Sequence, residues 1–85
     1  MCALNENQVA DYLRRHKIPV QSTSEWEEDM DASVDITDKV HLQMCEDGTI
    51  TINKWNDTFD TMYHYDNYKP NQQMIDKIKE LINLS

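Results

Sequence analysis

Apolar residues occupy alternate positions through the middle of the chain, and this period of two limits the possible folds more than any other feature. The apolar residues of this segment share one parity: Val34, Ile36, Val40, Leu42, Met44, Ile50 and Ile52. Because side chains that alternate in this way lie on opposite faces of a β-strand, the sequence predicts strands with one buried face. Asp38 interrupts the parity and predicts a bulge or a break, while Asp47-Gly48 predicts a hairpin turn.

Helical patterns lie on both sides of this segment. The first helix is predicted over residues 6–16, with an apolar stripe of Val9, Tyr12, Leu13 and His16. Asn5 and Gln8 have the spacing of a capping box, and Pro19 prevents the helix from continuing. Pro70 suits the first position of a second helix. The stripe of that helix contains Met74, Ile75, Ile78, Leu81 and Ile82.

Two further strands are predicted from weaker patterns. Residues 58–66 predict a strand with Phe59, Tyr63 and Tyr65 on one face and Asp60, Met62, His64 and Asp66 on the other. A first strand is predicted within residues 20–30, with Trp26 and Met30 pointing inward and Glu25, Glu27 and Asp29 pointing outward.

These elements predict an α+β fold in a single domain over residues 1–85. We expect an antiparallel sheet of three to four strands, with an N-terminal and a C-terminal helix packed on one face, in the order α-β-β-β-β-α. The apolar stripes require such a sheet, since short helices are marginal in water without tertiary packing. The other face of the sheet then lies in water.

The charge of the chain is uneven. Sixteen acidic residues against eight basic ones give a net charge of −8. Residues 24–66 carry twelve of those acids against Lys39 and Lys54, whereas the segments on either side are each net positive by one. Direct binding of nucleic acid needs a basic surface, so this class of function is excluded.

Neither membrane insertion nor secretion is indicated by the sequence. No apolar run approaches the roughly 20 residues of a membrane span, and no signal peptide pattern opens the chain. Two cysteines do not form the dense disulfide framework of a small secreted domain. We therefore expect a cytoplasmic protein, in the host cytoplasm if a phage encodes it.

No residue pattern indicates catalysis, a metal or a cofactor, so we expect a protein that is not an enzyme. Asp29, Asp31, Ser33 and Thr37 partly match a calcium loop, but Val34 replaces its glycine and Val40 replaces its bidentate glutamate. His16, His41 and His64 lie on three different predicted elements. We interpret each of them as a surface or half-packed side chain.

The acidic face is the candidate partner-binding site. Its predicted residues are Glu25, Glu27, Glu28, Asp29, Asp31, Asp35, Trp55, Asp60 and Asp66. Trp55 has the outward parity, which would make it an aromatic anchor among carboxylates. The alternative for Trp55 is a bulge after Asn53 that turns it inward, and the alternative for the acids is a face that is only solvated.

In size and charge alone, the chain resembles the small acidic inhibitors encoded by phages and by bacterial competition systems. These include anti-CRISPR proteins, other anti-defence proteins that mimic nucleic acid, and nuclease-immunity proteins, and no motif of any of them is matched. The leading hypothesis is a binding protein whose acids occupy a basic, nucleic-acid-binding surface of a larger protein. The alternative is a scaffold or assembly subunit that contacts its partner through apolar surface, and a metal-binding protein or enzyme is more remote. Homodimerisation through an exposed strand edge stays open.

Overall fold

Two helices cover one face of a five-stranded antiparallel sheet. The structure, a computed structural model, describes residues 5–25, 32–45 and 47–82. Its elements are α1 (Glu6–Arg15), β1 (Ser22–Ser24), β2 (Ser33–Asp35), β3 (Val40–Met44), β4 (Ile50–Trp55), β5 (Met62–Tyr68) and α2 (Gln72–Ile82). The strands lie side by side in chain order, each antiparallel to its neighbour. The predicted α+β class and the two terminal helices are confirmed, with five strands rather than three to four.

Helix α1 begins and ends with recognisable capping interactions. The side chain of Asn5 accepts a hydrogen bond from the Asn7 N–H at 2.8 Å, as an N-cap residue does. Lys17 adopts a left-handed conformation with φ of 64°, and the Ile18 N–H donates to the Leu13 carbonyl at 3.0 Å. This is the Schellman arrangement that ends a helix, and it turns Ile18 back into the core.

The inner face of the sheet contains the apolar residues that the alternation predicts. Val34, Leu42 and Ile52 are paired directly across β2, β3 and β4, and all three are fully buried. The buried residues of both helices belong to the same core cluster: Val9, Ala10 and Leu13 from α1, and Met74, Ile75 and Ile78 from α2. One apolar face of the sheet therefore holds both helices.

The turns between the central strands lie where the sequence predicts them. Residues 36–39 form a turn between β2 and β3. In this turn the Thr37 hydroxyl accepts hydrogen bonds from the backbone N–H groups of Lys39 and Val40. Asp38 therefore marks a turn between two strands rather than a bulge in one. Gly48, with φ of 87°, provides the left-handed residue of the turn between β3 and β4.

Strand β5 begins later than predicted, at Met62, because residues 56–61 form a turn. The Asn56 side chain organises this turn, since its carbonyl oxygen accepts from the N–H groups of Asp60 at 3.0 Å and Thr61 at 3.4 Å. The prediction that Phe59 shares a strand face with Tyr63 and Tyr65 is therefore wrong. Phe59 lies in the turn with φ of 60°, and Asp60 lies in the same turn.

The predicted first strand is present as three exposed polar residues, Ser22–Ser24. It pairs with β2 through Thr23 opposite Val34. Trp26 and Met30, which were expected to point inward from this strand, lie outside the described residues, as do Glu27 and Asp29.

Helix α2 begins two residues after Pro70, so Pro70 does not occupy its first position as predicted. The Asn71 side chain accepts a hydrogen bond from the Met74 N–H at 3.2 Å instead. Leu81 and Ile82 continue the apolar stripe and are partly buried. Neither of the two described helices is long and apolar enough to cross a membrane.

Removal of the α1 cap tests the local basis of this fold. Asn5→Ala leaves the Asn7 N–H without its acceptor, and we expect the free energy of unfolding to fall by about 1 kcal/mol. Urea melts of the two proteins measure this change. An unchanged midpoint would show that the cap contributes nothing to folding.

Truncation of Ile78 tests the docking of α2. Ile78 is fully buried, so Ile78→Ala creates a cavity and should lower the free energy of unfolding by about 2–5 kcal/mol. The matched control is Glu80→Ala on the exposed side of the same helix, which should shift the urea midpoint only slightly. Equal shifts for the two variants would show that α2 does not depend on its packing against the sheet.

Candidate functional site

The candidate site is the face of the sheet that points away from the helices, called the outer face below. The strand pairing places on it Ser22 and Ser24 of β1, Ser33 and Asp35 of β2, His41 and Gln43 of β3, Thr51, Asn53 and Trp55 of β4, and Met62, His64 and Asp66 of β5. Polar groups dominate it, as expected for the solvated side of a two-layer fold.

The structure brings only some of the predicted binding residues onto this face. Asp35 and Asp66 lie on it, but β3 and β4 separate them, a distance of about 14 Å at the usual strand spacing. Glu25 is exposed just beyond the end of β1, and Asp60 is exposed in the turn before β5. The remaining predicted acids, Glu27, Glu28, Asp29 and Asp31, lie outside the described residues.

Each carboxylate on the outer face has a hydroxyl partner on the neighbouring strand. The Ser22 hydroxyl donates to Asp35 at 2.9 Å, and the Thr51 hydroxyl donates to Asp66 at 3.0 Å. These bonds cross from one strand to the next, so both carboxylates also contribute to strand pairing.

Three carboxylates in the turns, those of Asp47, Asp57 and Asp60, are stabilised in their charged form. Hydrogen bonds from the Thr49 side chain and backbone lower the pKa of Asp47, and hydrogen bonds led by the Asn56 side chain lower the pKa of Asp60. A hydrogen bond from Lys39, together with its charge, lowers the pKa of Asp57. These three groups therefore stay ionised throughout the neutral and mildly acidic range.

A row of five polar side chains crosses the whole sheet. Ser22, Asp35, His41, Asn53 and His64 are direct partners across successive strands. Asn53 is 2% exposed, although it lies on the outer face, because the two histidines flank it. A buried amide of this kind needs hydrogen-bond partners, and the histidines provide them.

The side-chain amide of Asn53 joins the two imidazoles, through its nitrogen to His41 and through its oxygen to His64. Its side-chain N–H donates to His41 Nε2 at 3.1 Å, and its carbonyl oxygen accepts from His64 Nδ1. Since one amide offers one oxygen acceptor and one nitrogen donor, this arrangement needs His41 Nε2 unprotonated. Burial lowers the pKa of His41, Asp35 raises it, and His64 lowers it, with a net lowering.

The row does not assemble the groups of a hydrolytic triad. Such a triad needs a hydroxyl bonded to an imidazole base, whereas the Ser22 hydroxyl donates to the Asp35 carboxylate. Within the described residues, no group of three or more His, Cys, Asp or Glu side chains is placed to hold a metal ion.

Trp55 keeps its outward position at one end of the outer face. It is paired with Met62 in the ladder, and the irregularity between β4 and β5 lies at Ile50/Ile52, so no bulge after Asn53 turns it inward. The ring of Phe59 lies 6.4 Å from the Trp55 ring, between centroids. Phe59 is 49% exposed, so aromatic surface is available at this end of the sheet.

A shallow groove lies on the other side of the molecule, between the end of β5 and α2. It is lined by Asn67, Tyr68, Gln73, Asp76, Lys77 and Glu80. Lys77 pairs with Glu80 at 3.4 Å and lies 4.4 Å above the ring of Tyr65. The contact with Tyr65 attaches α2 to β5, whereas the Lys77–Glu80 pair lies within α2.

The sequence interpretation missed the contact between His41, Asn53 and His64. The signal was present, because all three positions have the outward parity of their strands. Parity alone gives the face of a residue and not its neighbour on the next strand. The interpretation of each histidine as surface or half-packed is confirmed, since His16 and His41 are half-buried and His64 is exposed.

Stability should depend on pH through His41. A histidine whose folded pKa lies below its unfolded value of 6.5 contributes stability above that value and loses it as the pH falls through the folded pKa. We expect the urea midpoint to be lower at about pH 5.5 than at about pH 7.5. His41→Gln keeps an acceptor for Asn53 but does not titrate, so its midpoint should fall less. An equal fall in both proteins would exclude His41 as the cause.

Comparisons of the chain with known protein families, with curated proteins and with solved structures found no match.

Proposed function

We propose that the protein is a non-enzymatic binding protein whose carboxylates occupy a basic, nucleic-acid-binding surface of a larger protein. The observation that carries this proposal is the separation of charge along the chain. Residues 24–66 carry twelve acids against two lysines, a net charge of −10, while the segments on either side are each net positive by one. Carboxylates held by strands and turns can take the place of phosphates and pair with arginine and lysine.

The two lysines of this segment do little to neutralise it. Lys39 Nζ pairs with Asp57 at 3.0 Å, and Lys54 belongs to the inner side of β4, opposite Tyr63. Within the described part of residues 24–66, five exposed acids form no ion pair: Glu25, Asp38, Asp47, Asp60 and Asp66. No basic side chain of the described residues pairs with these five carboxylates, although Asp47, Asp60 and Asp66 accept hydrogen bonds within the fold.

The strand order brings Glu25 and Asp47 to the same end of the sheet. In an antiparallel sheet whose strands follow chain order, the β1–β2 and β3–β4 connections leave from the same end. Glu25 begins the first connection and Asp47 lies in the second. By sequence, these two connections also contain Glu27, Glu28, Asp29, Asp31 and Glu46. Of these acids, Glu25 and Asp47 lie at the same end of the sheet, and the other five are assigned to the two connections by sequence only.

Self-repulsion gives these acids an energetic cost, since like charges destabilise a compact state. A partner with a basic surface would relieve the repulsion between the acids that are concentrated in residues 24–66, and this relief would favour binding. The complementary field would also accelerate association, as it does for other charged protein pairs. This chemistry fits the small acidic inhibitors of phages and mobile elements, of the anti-CRISPR, anti-defence or nuclease-immunity type. Such a protein would act in the cytoplasm of the cell that contains its partner.

One observation favours the second candidate, a scaffold or assembly subunit. Strand β5 is an edge of the sheet, seven residues long, and Asp66 is its only carboxylate or ammonium group. Edges of this length are usually protected by lysine, proline or several charges. The free edge would accept a strand from another chain, including a second copy of this one, and such binding would resist salt.

Charge reversal distinguishes these candidates. Glu25→Lys, Glu27→Lys and Asp29→Lys together should abolish capture of the partner from a cell lysate while leaving the urea midpoint unchanged or higher. The reason is that repulsion between like charges opposes folding, whereas their attraction to a basic partner favours binding. The wild-type complex should also dissociate steeply with added salt and in competition with a DNA duplex.

The matched control reverses Asp11, Asp76 and Glu80, three exposed acids on the helices, and changes the net charge equally. It should leave capture largely intact. Equal losses in both variants would show a diffuse charge effect without a specific site. Capture that survives both reversals and high salt would support the scaffold instead.

A further inference from the structure

The turn between β4 and β5 contains a strained backbone conformation at Phe59. Phe59 has φ of 60°, a left-handed conformation that is rare for bulky residues, and its ring is half-exposed. Glycine or asparagine would form the same turn with less strain and less exposed apolar surface. Strain of this kind, kept at an exposed aromatic residue, points to binding.

The turn holds the Phe59 ring beside other binding groups. Trp55 lies 6.4 Å away between ring centroids, and Asp57 and Asp60 belong to the same turn as Phe59. The backbone N–H of Trp55 donates to the backbone carbonyl of Lys39 at 2.8 Å. This bond fixes the β2–β3 turn next to the turn that contains Phe59. We call Trp55, Asp57, Phe59 and Lys39 the aromatic corner.

A cation already occupies the aromatic corner. Lys39 Nζ lies 5.8 Å from the centroid of the Phe59 ring and 3.0 Å from a carboxylate oxygen of Asp57. An aromatic face and a carboxylate around one positive group are the elements of a cation-binding site. The Asp57 side chain is 98% exposed, so its carboxylate is open to a group from outside.

We propose that the aromatic corner is an arginine-binding site, in which Lys39 holds the place of an arginine side chain of the partner. A guanidinium stacks on aromatic rings and binds a carboxylate through two parallel hydrogen bonds, whereas an ammonium acts as a point charge. Arginine therefore gains from Phe59, Trp55 and the second oxygen of Asp57 in a way that Lys39 does not. The proposal rests on the function proposed above, because the net charge of −10 in this segment selects a basic partner.

The chain provides matched controls for both parts of the corner. Tyr63 is 50% exposed, almost equal to Phe59, but belongs to the inner side of β5 opposite Lys54. Tyr63→Leu is thus a control for Phe59→Leu, which removes the ring without changing charge. Lys54→Met is the control for Lys39→Met, since both remove one positive charge from the same segment.

The probe is a short peptide of alternating glycine and arginine, titrated at physiological salt and followed by NMR. It should shift the Trp55 indole N–H and the amides of residues 56–61. Phe59→Leu should weaken binding about three- to tenfold, the range expected for a cation–π contact, while Tyr63→Leu should leave it unchanged. Lys39→Met should tighten binding more than Lys54→Met does, because Lys39 contacts both Asp57 and the Phe59 ring, whereas Lys54 acts on Asp57 only through its charge. The peptide's lysine counterpart should bind more weakly.

Three results would overturn the proposal: equal effects of Phe59→Leu and Tyr63→Leu, equal effects of the two lysine variants, or equal binding of the two peptides. The reversal of Glu25, Glu27 and Asp29 separates this failure from that of the proposed function. If the corner variants are inert but the reversal abolishes partner capture, only the arginine site fails. If the corner binds the peptide as expected but capture ignores the reversal, the proposed function fails instead.

Discussion

The alignment of Val34, Leu42 and Ile52 across three strands is the constraint on which the rest of the structure depends. Because side chains alternate, the register that brings these residues together on the inner face also fixes every neighbour on the outer face. A slip of one residue would bury the polar set and expose the apolar one. The His41–Asn53 contact is therefore a consequence of core packing, because the register that aligns the apolar residues also aligns these two polar ones.

The sequence predicts those parts of the fold that depend on local patterns. The strands around Leu42 and Ile52, both helical stripes and the Asp47-Gly48 turn are all visible in short windows. Two features depend on distant groups and are not visible there. Asn53 meets His41 and His64 only through the register of three strands, and Phe59 leaves the predicted strand because the Asn56 side chain closes a turn around it. Four of the nine predicted binding residues lie outside the described residues, so their grouping stays a prediction.

The carboxylates of the described residues fall into two groups. Some carboxylates contribute to folding, since Asp47 accepts from the Thr49 N–H at 2.9 Å and Asp35 accepts from Ser22 on the next strand. Others, such as Glu25 and Asp38, are exposed without an ion pair in the described part of the chain. Only this second group represents charge beyond what folding uses. A functional account of the acids starts from this second group and adds the carboxylates and aromatic residues of the turns.

The order of the strands also determines how the chain can assemble as it is synthesised. Every strand pairs with the strand that precedes or follows it, so each new strand finds its partner already made and closes only a short loop. Helix α1 likewise meets β1 and β2 first. The exception is α2, which follows all five strands and supplies Met74, Ile75 and Ile78 to the core. Until α2 docks, the part of the apolar face that Met74, Ile75 and Ile78 cover is exposed beside the free edge of β5. A partly folded chain that exposes such a surface is prone to aggregate.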